Sequence, residues 1–166
     1  MRSPFQLSVT SPTSSMEVVQ LFCDASKDLD DKGLSPTSKT YSMCMNVLTL
    51  CPESPTVCED VLSLLDECKK TTKTDLQFYN VCLHTLAKCA SHHPDVPTLV
   101  ERIFQEMRTD SGLSPNTACF VSVLHAWANS ITGNETTSLA AERAEAILDQ
   151  MIRGYPKLVD TICFNI

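Results

Sequence analysis

The chain of 166 residues is poor in glycine and in basic residues, and it contains no long apolar run. Its four glycines form no glycine-rich phosphate loop, which excludes a nucleotide-binding site of that kind. No apolar run approaches the ~20 residues that a membrane-spanning helix requires, so we predict no membrane partner. The 13 basic residues against 20 acidic ones give a net charge of −7. This balance counts against nucleic-acid binding unless positive charge is gathered on one face.

The nine cysteines are never spaced as Cys-x-x-Cys, so we predict no structural zinc site and no cofactor. Several of them fall within apolar helical stripes, where a free cysteine packs as a small hydrophobe. These are Cys44, Cys68 and Cys82. We therefore interpret the cysteines as core residues in a reducing compartment rather than as a disulfide framework.

No set of residues has the spacing of a catalytic site. His92 and His93 lie in a proline-bounded segment without metal ligands at helical spacing, and solvent exposure is the simpler interpretation. Many carboxylates lie three or four residues from a lysine or arginine, which is typical of surface pairing on a helix. We therefore predict that the chain is not an enzyme. Catalysis would require a further domain beyond Ile166.

The most informative stretch is 76–116, which predicts two antiparallel helices. Each has an apolar stripe at helical spacing, and a proline-containing break separates them at 91–97. The stripes are Tyr79, Cys82, Leu83 and Leu86 in the first helix, and Val100, Ile103, Phe104 and Met107 in the second. The unit ends at Gly112-Leu113-Ser114-Pro115-Asn116, where glycine favours a left-handed helix end and proline prevents extension.

This unit recurs along the chain. Gly33-Leu34-Ser35-Pro36-Thr37 nearly duplicates its closing turn, and an aromatic residue follows each turn at the same distance, Tyr41 and Phe120. The second-helix stripe recurs at Val18, Leu21, Phe22 and Ala25, at Val61, Leu64, Leu65 and Cys68, and at Ala144, Ile147, Leu148 and Met151. A period of roughly 40 residues is typical of helical-hairpin repeats.

We therefore predict an all-α fold, a right-handed solenoid of stacked antiparallel helical hairpins. The predicted units are a partial repeat at 16–37 (its second helix), repeats at 38–75, 76–116 and 117–160, and the start of a further repeat at 161–166. Within them we predict helices at 41–50, 56–70 and 138–153 and a polar loop at 131–137. Residues 1–15 lack acidic side chains, which indicates either a targeting-like segment or a disordered start. We expect the chain to be part of a longer array.

These residues resemble the pentatricopeptide repeat (PPR) family. Its repeats open with an aromatic residue followed by asparagine, carry a late methionine, and close with Gly-x-x-Pro-Asp. The matching residues are Tyr79-Asn80, Phe104, Met107 and Gly112 to Asn116, with Met151 and Phe164-Asn165 matching in the last units. The resemblance covers residues 16–166, and it departs from the family in the length of its units, whose extra residues fall in loops.

The resemblance implies a single-stranded RNA-binding protein of organelle RNA processing, in a mitochondrion or plastid and otherwise in the cytoplasm. In the family, the residue after the opening aromatic and the last residue of the repeat read one base. The corresponding pairs are Ser42 with Asp75, Asn80 with Asn116, and Val121 with Asp160, and Asn165 would begin another pair. The first pair resembles guanine-leaning readers and the second pyrimidine readers. Valine can neither donate nor accept a hydrogen bond, which argues against base reading by the third.

Polar residues continue along the same side of the predicted first helices. One turn beyond each predicted reader lie Asn46, His84 and His125, with Lys88 and Asn129 further on. If the hairpins stack, these residues line a concave surface with few positive charges, of which Lys39 and Lys88 are the clearest. The alternative function is a protein–protein interaction scaffold, which the acidic balance and Val121 favour.

Overall fold

The structure, a computed structural model, describes residues 17, 21, 24, 32, 33, 35–109, 112–130 and 134–159, without the side chains of 134–137. Six helices lie in the ranges 35–109, 112–130 and 134–159: α1 (Ser38–Leu48), α2 (Val57–Thr71), α3 (Leu76–Cys89), α4 (Val96–Thr109), α5 (Thr117–Asn129) and α6 (Asn134–Gly154). A 3-10 turn, Pro156–Leu158, follows α6, and the described residues contain no strand. The all-α class is therefore confirmed. The predicted segments 1–15 and 161–166 lie outside the described residues.

None of the helices that can be described combines the length and apolar character needed to cross a membrane.

Polar caps set the start of α1, α3 and α5, which we call the first helices. The Thr37 hydroxyl accepts from the Thr40 backbone N–H, and the Thr40 hydroxyl accepts from the Thr37 backbone N–H. The side chains of Asp75 and Asn116 likewise accept from the backbone N–H three residues further on, in α3 and α5. Such caps satisfy backbone donors that have no partner within the helix. Because of the Thr37 cap, α1 begins three residues before the predicted start at residue 41.

Glycine closes the turn after α4 as predicted. Gly112 has a φ of 61°, in the left-handed region that a residue with a Cβ rarely adopts. The turn directs the Leu113 backbone N–H toward the Met107 carbonyl, at 3.2 Å, so one of the last carbonyls of the helix has a partner. Gly33 has a φ of 69° in the equivalent turn before α1.

The predicted polar loop at 131–137 is wrong in its second half, because α6 begins at Asn134. The segment lacks apolar periodicity, which is why the sequence indicated a loop. The helix runs to Gly154 over 21 residues, and its first turn is made of polar residues. Amphipathic periodicity begins only further along, so it could not locate this start.

Each hairpin shares its core with its neighbour. The first helices α1, α3 and α5 contact one another in chain order, whereas α2, α4 and α6, the second helices, each pack against their own first helix. In addition, α2 contacts α3, and α4 contacts α5. Most of the predicted stripe residues are buried: Tyr41, Met45 and Leu48 in α1, Val61, Leu64, Leu65 and Cys68 in α2, and the complete stripes of α3 and α4. Two predictions differ from the structure, since Cys44 is only half-buried and Leu21, of the stripe predicted at 18–25, is 66% exposed. In α6, Ile147 and Met151 are buried, and Ala144 and Leu148 are half-buried.

Two carboxylates of α4 connect successive hairpins. Glu101 accepts a hydrogen bond from the Trp127 indole N–H at 2.6 Å and pairs with Arg143 of α6. Glu106 pairs with Lys69 of α2 and lies 3.5 Å from the Tyr79 hydroxyl. These carboxylates therefore have basic partners on the second helices.

Candidate nucleic-acid interface

The first helices present three rows of equivalent side chains on one side. Residues four apart lie above one another on a helix, so each row continues the one before it. The reader row is Ser42, Asn80 and Val121; the middle row is Asn46, His84 and His125; the far row is Lys88 and Asn129, with Leu50 at the equivalent position in the turn after α1. Exposure increases from the reader row, which is buried or half-buried, to the middle and far rows, which are exposed.

Side chains of the reader row make contacts within the protein. Ser42 is 7% exposed, and its hydroxyl donates to the Ser38 carbonyl at 3.0 Å. The Asn80 side-chain oxygen accepts from the Cys119 thiol of α5 at 2.9 Å. Val121 is half-buried and packs against the core. These three side chains therefore serve packing between and within the first helices.

The predicted partners Asp75 and Asn116 are helix caps. Asp75 Oδ1 accepts from the Phe78 backbone N–H at 2.8 Å, and Asn116 Oδ1 accepts from that of Cys119 at 3.1 Å. Asn80 and Asn116 are thus both bonded to Cys119. In Asp75 the cap uses Oδ1, one of the two carboxylate oxygens. The remaining predicted site residues, Asp160 and Asn165, lie outside the described part of the chain.

A cleft of about 320 Å³ lies between the N-terminal parts of α1 and α3. It brings together Ser42 and Asp75, the two members of the first predicted pair. The residues that line it are Lys39, Ser42, Met43, Asn46, Asp75, Gln77 and Val81. Gln77 was missed in the sequence, because its position beside α1 depends on how the two helices pack.

Two hydrogen bonds fix the register of α3 against α5. One is the Cys119–Asn80 contact near their N-terminal ends, and the other runs from Asn129 Nδ2 to the Ala87 carbonyl, at 3.3 Å. His84 and His125 lie between these two points and are neighbours across the helix pair. Burial lowers the pKa of His84 below its ordinary value, and the charges of Lys88 and His125 lower it further.

Charge is divided between the two sets of helices. The first helices contain no aspartate or glutamate, and their only lysines are Lys39 and Lys88. The second helices contain acidic residues throughout, for example Glu59 and Asp66 in α2 and Glu101 and Glu106 in α4. Apart from Asp75, which caps α3, the described rows and cleft carry no carboxylate. The acidic balance of the chain therefore resides mainly on the second helices and loops.

Cys68, Cys82 and Cys89 are buried free thiols and are unsuited to nucleophilic chemistry. Burial raises the pKa of Cys82 and of Cys89 to about 12 and that of Cys68 to about 11. Since the thiolate is the reactive form, these thiols are inert at neutral pH. Among the residues that can be described, no three histidine, cysteine or acidic side chains are grouped so as to hold a metal ion.

An exposed apolar row lies on α1 and in the turn after it, because α1 ends at Leu48 rather than at the predicted residue 50 and Leu50 lies in the turn. Met43, Val47 and Leu50 are 63%, 43% and 76% exposed. In α3, the residues equivalent to the first two are Val81 and Thr85, which are buried. The Thr85 hydroxyl lies 3.4 Å from the Met45 carbonyl of α1, so this side of α3 faces the preceding first helix. On α1 the same side is open.

Comparison of the chain with known protein families, with curated protein sequences and with solved structures finds no match in any of the three.

Proposed function

We propose that the hairpins form a right-handed solenoid of pentatricopeptide type, which binds single-stranded RNA along the face of α1, α3 and α5. The observation that carries the proposal is the division of charge. The first helices hold Lys39, Lys88 and no acidic residue, so Asp75 is the one carboxylate among the described residues of this face, although the chain has a net charge of −7. Phosphate neutralisation requires such a local excess of positive charge. The setting in a mitochondrion or plastid stays a prediction from the family resemblance.

The cleft between α1 and α3 has the chemistry to hold one base. Met43 and Val81 provide apolar walls against which a base plane can pack. Asn46 and Gln77 can donate and accept hydrogen bonds, while the Asp75 carboxylate only accepts. An acceptor of this kind suits the N–H edge of guanine. Lys39 lies at the same cleft and can contact an adjacent phosphate.

The test is fluorescence-anisotropy binding of short single-stranded RNAs at low and moderate salt. We expect affinity to fall as salt rises, since phosphate contacts release counterions. Asn46→Ala should weaken binding about three- to tenfold, because one hydrogen bond contributes about 0.5–1.5 kcal/mol. The matched control is Ser63→Ala, an exposed position on α2 away from this face. No binding at low salt, or equal weakening by both variants, would contradict the proposal.

A second variant tests base preference without removing a cap. Asparagine caps a helix about as well as aspartate, so Asp75→Asn should keep α3 intact. It replaces an acceptor by a group that also donates, which should change the preferred base at one RNA position. The measurement compares RNAs that differ only at that position. An unchanged preference would show that Asp75 does not contact the base.

The second candidate function is a protein-interaction scaffold, which the exposed row Met43, Val47 and Leu50 favours. A face that is buried in α3 and open in α1 can pack against another helix. Under this alternative we expect association that depends on protein concentration and that Met43→Ser with Leu50→Ser reduces. Analytical ultracentrifugation measures it, and a monomer at all concentrations counts against self-association.

A further inference from the structure

We propose that His84, Lys88 and His125 form an anion subsite that holds one phosphate of a bound RNA strand, most strongly when His84 is protonated. This inference rests on the proposed function and adds a regulatory property, a dependence of RNA affinity on pH. It is carried by the placement of three basic side chains from two helices on one exposed patch.

The register of the helices brings the three groups together. Lys88 follows His84 by four residues on α3, so the two side chains lie one above the other. The hydrogen bonds Cys119–Asn80 and Asn129–Ala87 hold α5 alongside on both sides of the histidines. His125 therefore faces His84 across the helix pair, and all three basic side chains are exposed to solvent.

The groups that face this patch from other elements carry no negative charge. At the equivalent height α1 presents Asn46, Leu50 follows in the turn after α1, and α5 presents Asn129 beside His125. The second helices α2 and α4 also contact α3. Of the α4 carboxylates, Glu106 pairs with Lys69 and Glu101 with Arg143. The described charges that act on His84 are those of Lys88 and His125, both of which disfavour its protonation.

An anion would reverse that balance. A phosphate beside His84 stabilises the imidazolium, so its pKa rises on binding from a value below the ordinary ~6.5. By linkage, a complex that binds protons more readily than the free protein becomes tighter as pH falls. The affinity changes with pH only between the lowered His84 pKa of the free protein and the higher His84 pKa of the complex. At pH well above this interval, Lys88 alone supplies charge.

The first experiment measures RNA affinity between about pH 5.5 and 8 with an oligouridylate, whose phosphodiesters keep their charge over that range. We expect affinity to increase about threefold or more toward the acidic end, the gain from a modest pKa rise on a single imidazole. His84→Gln should remove most of this increase. The control, His92→Gln, changes an exposed histidine in the loop after α3 and should leave the increase intact.

The second experiment tests anion binding at the subsite without RNA. NMR titration of the His84 imidazole is recorded with and without sulfate, an anion that stays fully charged across the range. A rise in the His84 pKa with sulfate supports the subsite, and an unchanged pKa overturns it. If the protein binds RNA with no pH dependence, the subsite fails and the proposed function stands. If it binds no RNA at any pH, the proposed function fails and the sulfate titration alone decides the subsite.

Discussion

Replacing Glu101 by alanine should destabilise the contact between the last two hairpins. Glu101 lies on α4, and its side chain is only 16% exposed. Its Oε1 accepts from the Trp127 indole N–H at 2.6 Å and from Arg143 Nε at 3.1 Å. One carboxylate thus connects α4, α5 and α6. Its removal leaves a nearly buried indole N–H without this acceptor.

The two interactions differ in size. Leaving the indole N–H of Trp127 without a partner costs about 1–3 kcal/mol, because the residue is 7% exposed and water replaces the acceptor poorly. The pair with Arg143 contributes about 0.2–1 kcal/mol, since the arginine side chain is 45% exposed. Glu101→Ala should therefore lower the free energy of unfolding by about 2–3 kcal/mol. Glu101→Gln keeps a neutral acceptor and should lose about half as much.

The assay is urea unfolding followed by far-UV circular dichroism, which does not depend on the environment of the single tryptophan. A double-mutant cycle of Glu101→Ala with Trp127→Phe should give a coupling of about 1–2 kcal/mol. Glu145→Ala, an exposed carboxylate on α6, is the control and should change stability by less than about 0.5 kcal/mol. The reasoning is refuted if Glu101→Ala matches this control or if the coupling is zero.

Two further predictions concern the turn glycine and a core thiol. Gly112→Ala should cost about 1–2 kcal/mol of stability in the same urea assay, because its φ of 61° strains any residue with a Cβ. Gly154→Ala, at the end of α6 with open space around the added Cβ, should be neutral or slightly stabilising, and equal costs for both would contradict the argument. Cys82, fully buried and with its pKa raised to about 12, should resist iodoacetamide in the native protein and react after unfolding. Mass spectrometry measures the labelling, and rapid native modification would show that α3 is not packed as described.

Structural features that depend only on residues close together in the sequence could be predicted. Apolar residues at helical spacing predicted α3 and α4, and their stripes, including Val100 and Met107, are buried. The left-handed turn at Gly112 could also be predicted from residues close in sequence, because glycine favours a left-handed helix end and Pro115 prevents the helix from extending. Apolar periodicity did not predict the start of α6, because the polar residues from Asn134 onward form no apolar stripe.

The candidate site depended on packing, which the sequence does not show. Asp75 and Asn116 were assigned to base reading by family resemblance, and in the structure their side-chain oxygens cap the next helix. A polar residue immediately before a helix is itself a cap signal, so that role could have been recognised. The burial of Ser42 and the place of Gln77 beside α1 could not be recognised from the sequence, because both depend on the contact between α1 and α3.

The division of charge changes how the net charge bears on function. A value of −7 argues against RNA binding only if the acidic residues lie where the strand would lie. The first helices carry none, and the α4 carboxylates Glu101 and Glu106 are bonded to groups on the other helices. With the reader row largely buried, the accessible polar surface is the middle row and the cleft beside Asn46. A strand on this face would therefore contact Asn46, His84 and Lys88 more readily than Ser42, so substitutions in the middle row should affect affinity more than Ser42→Ala.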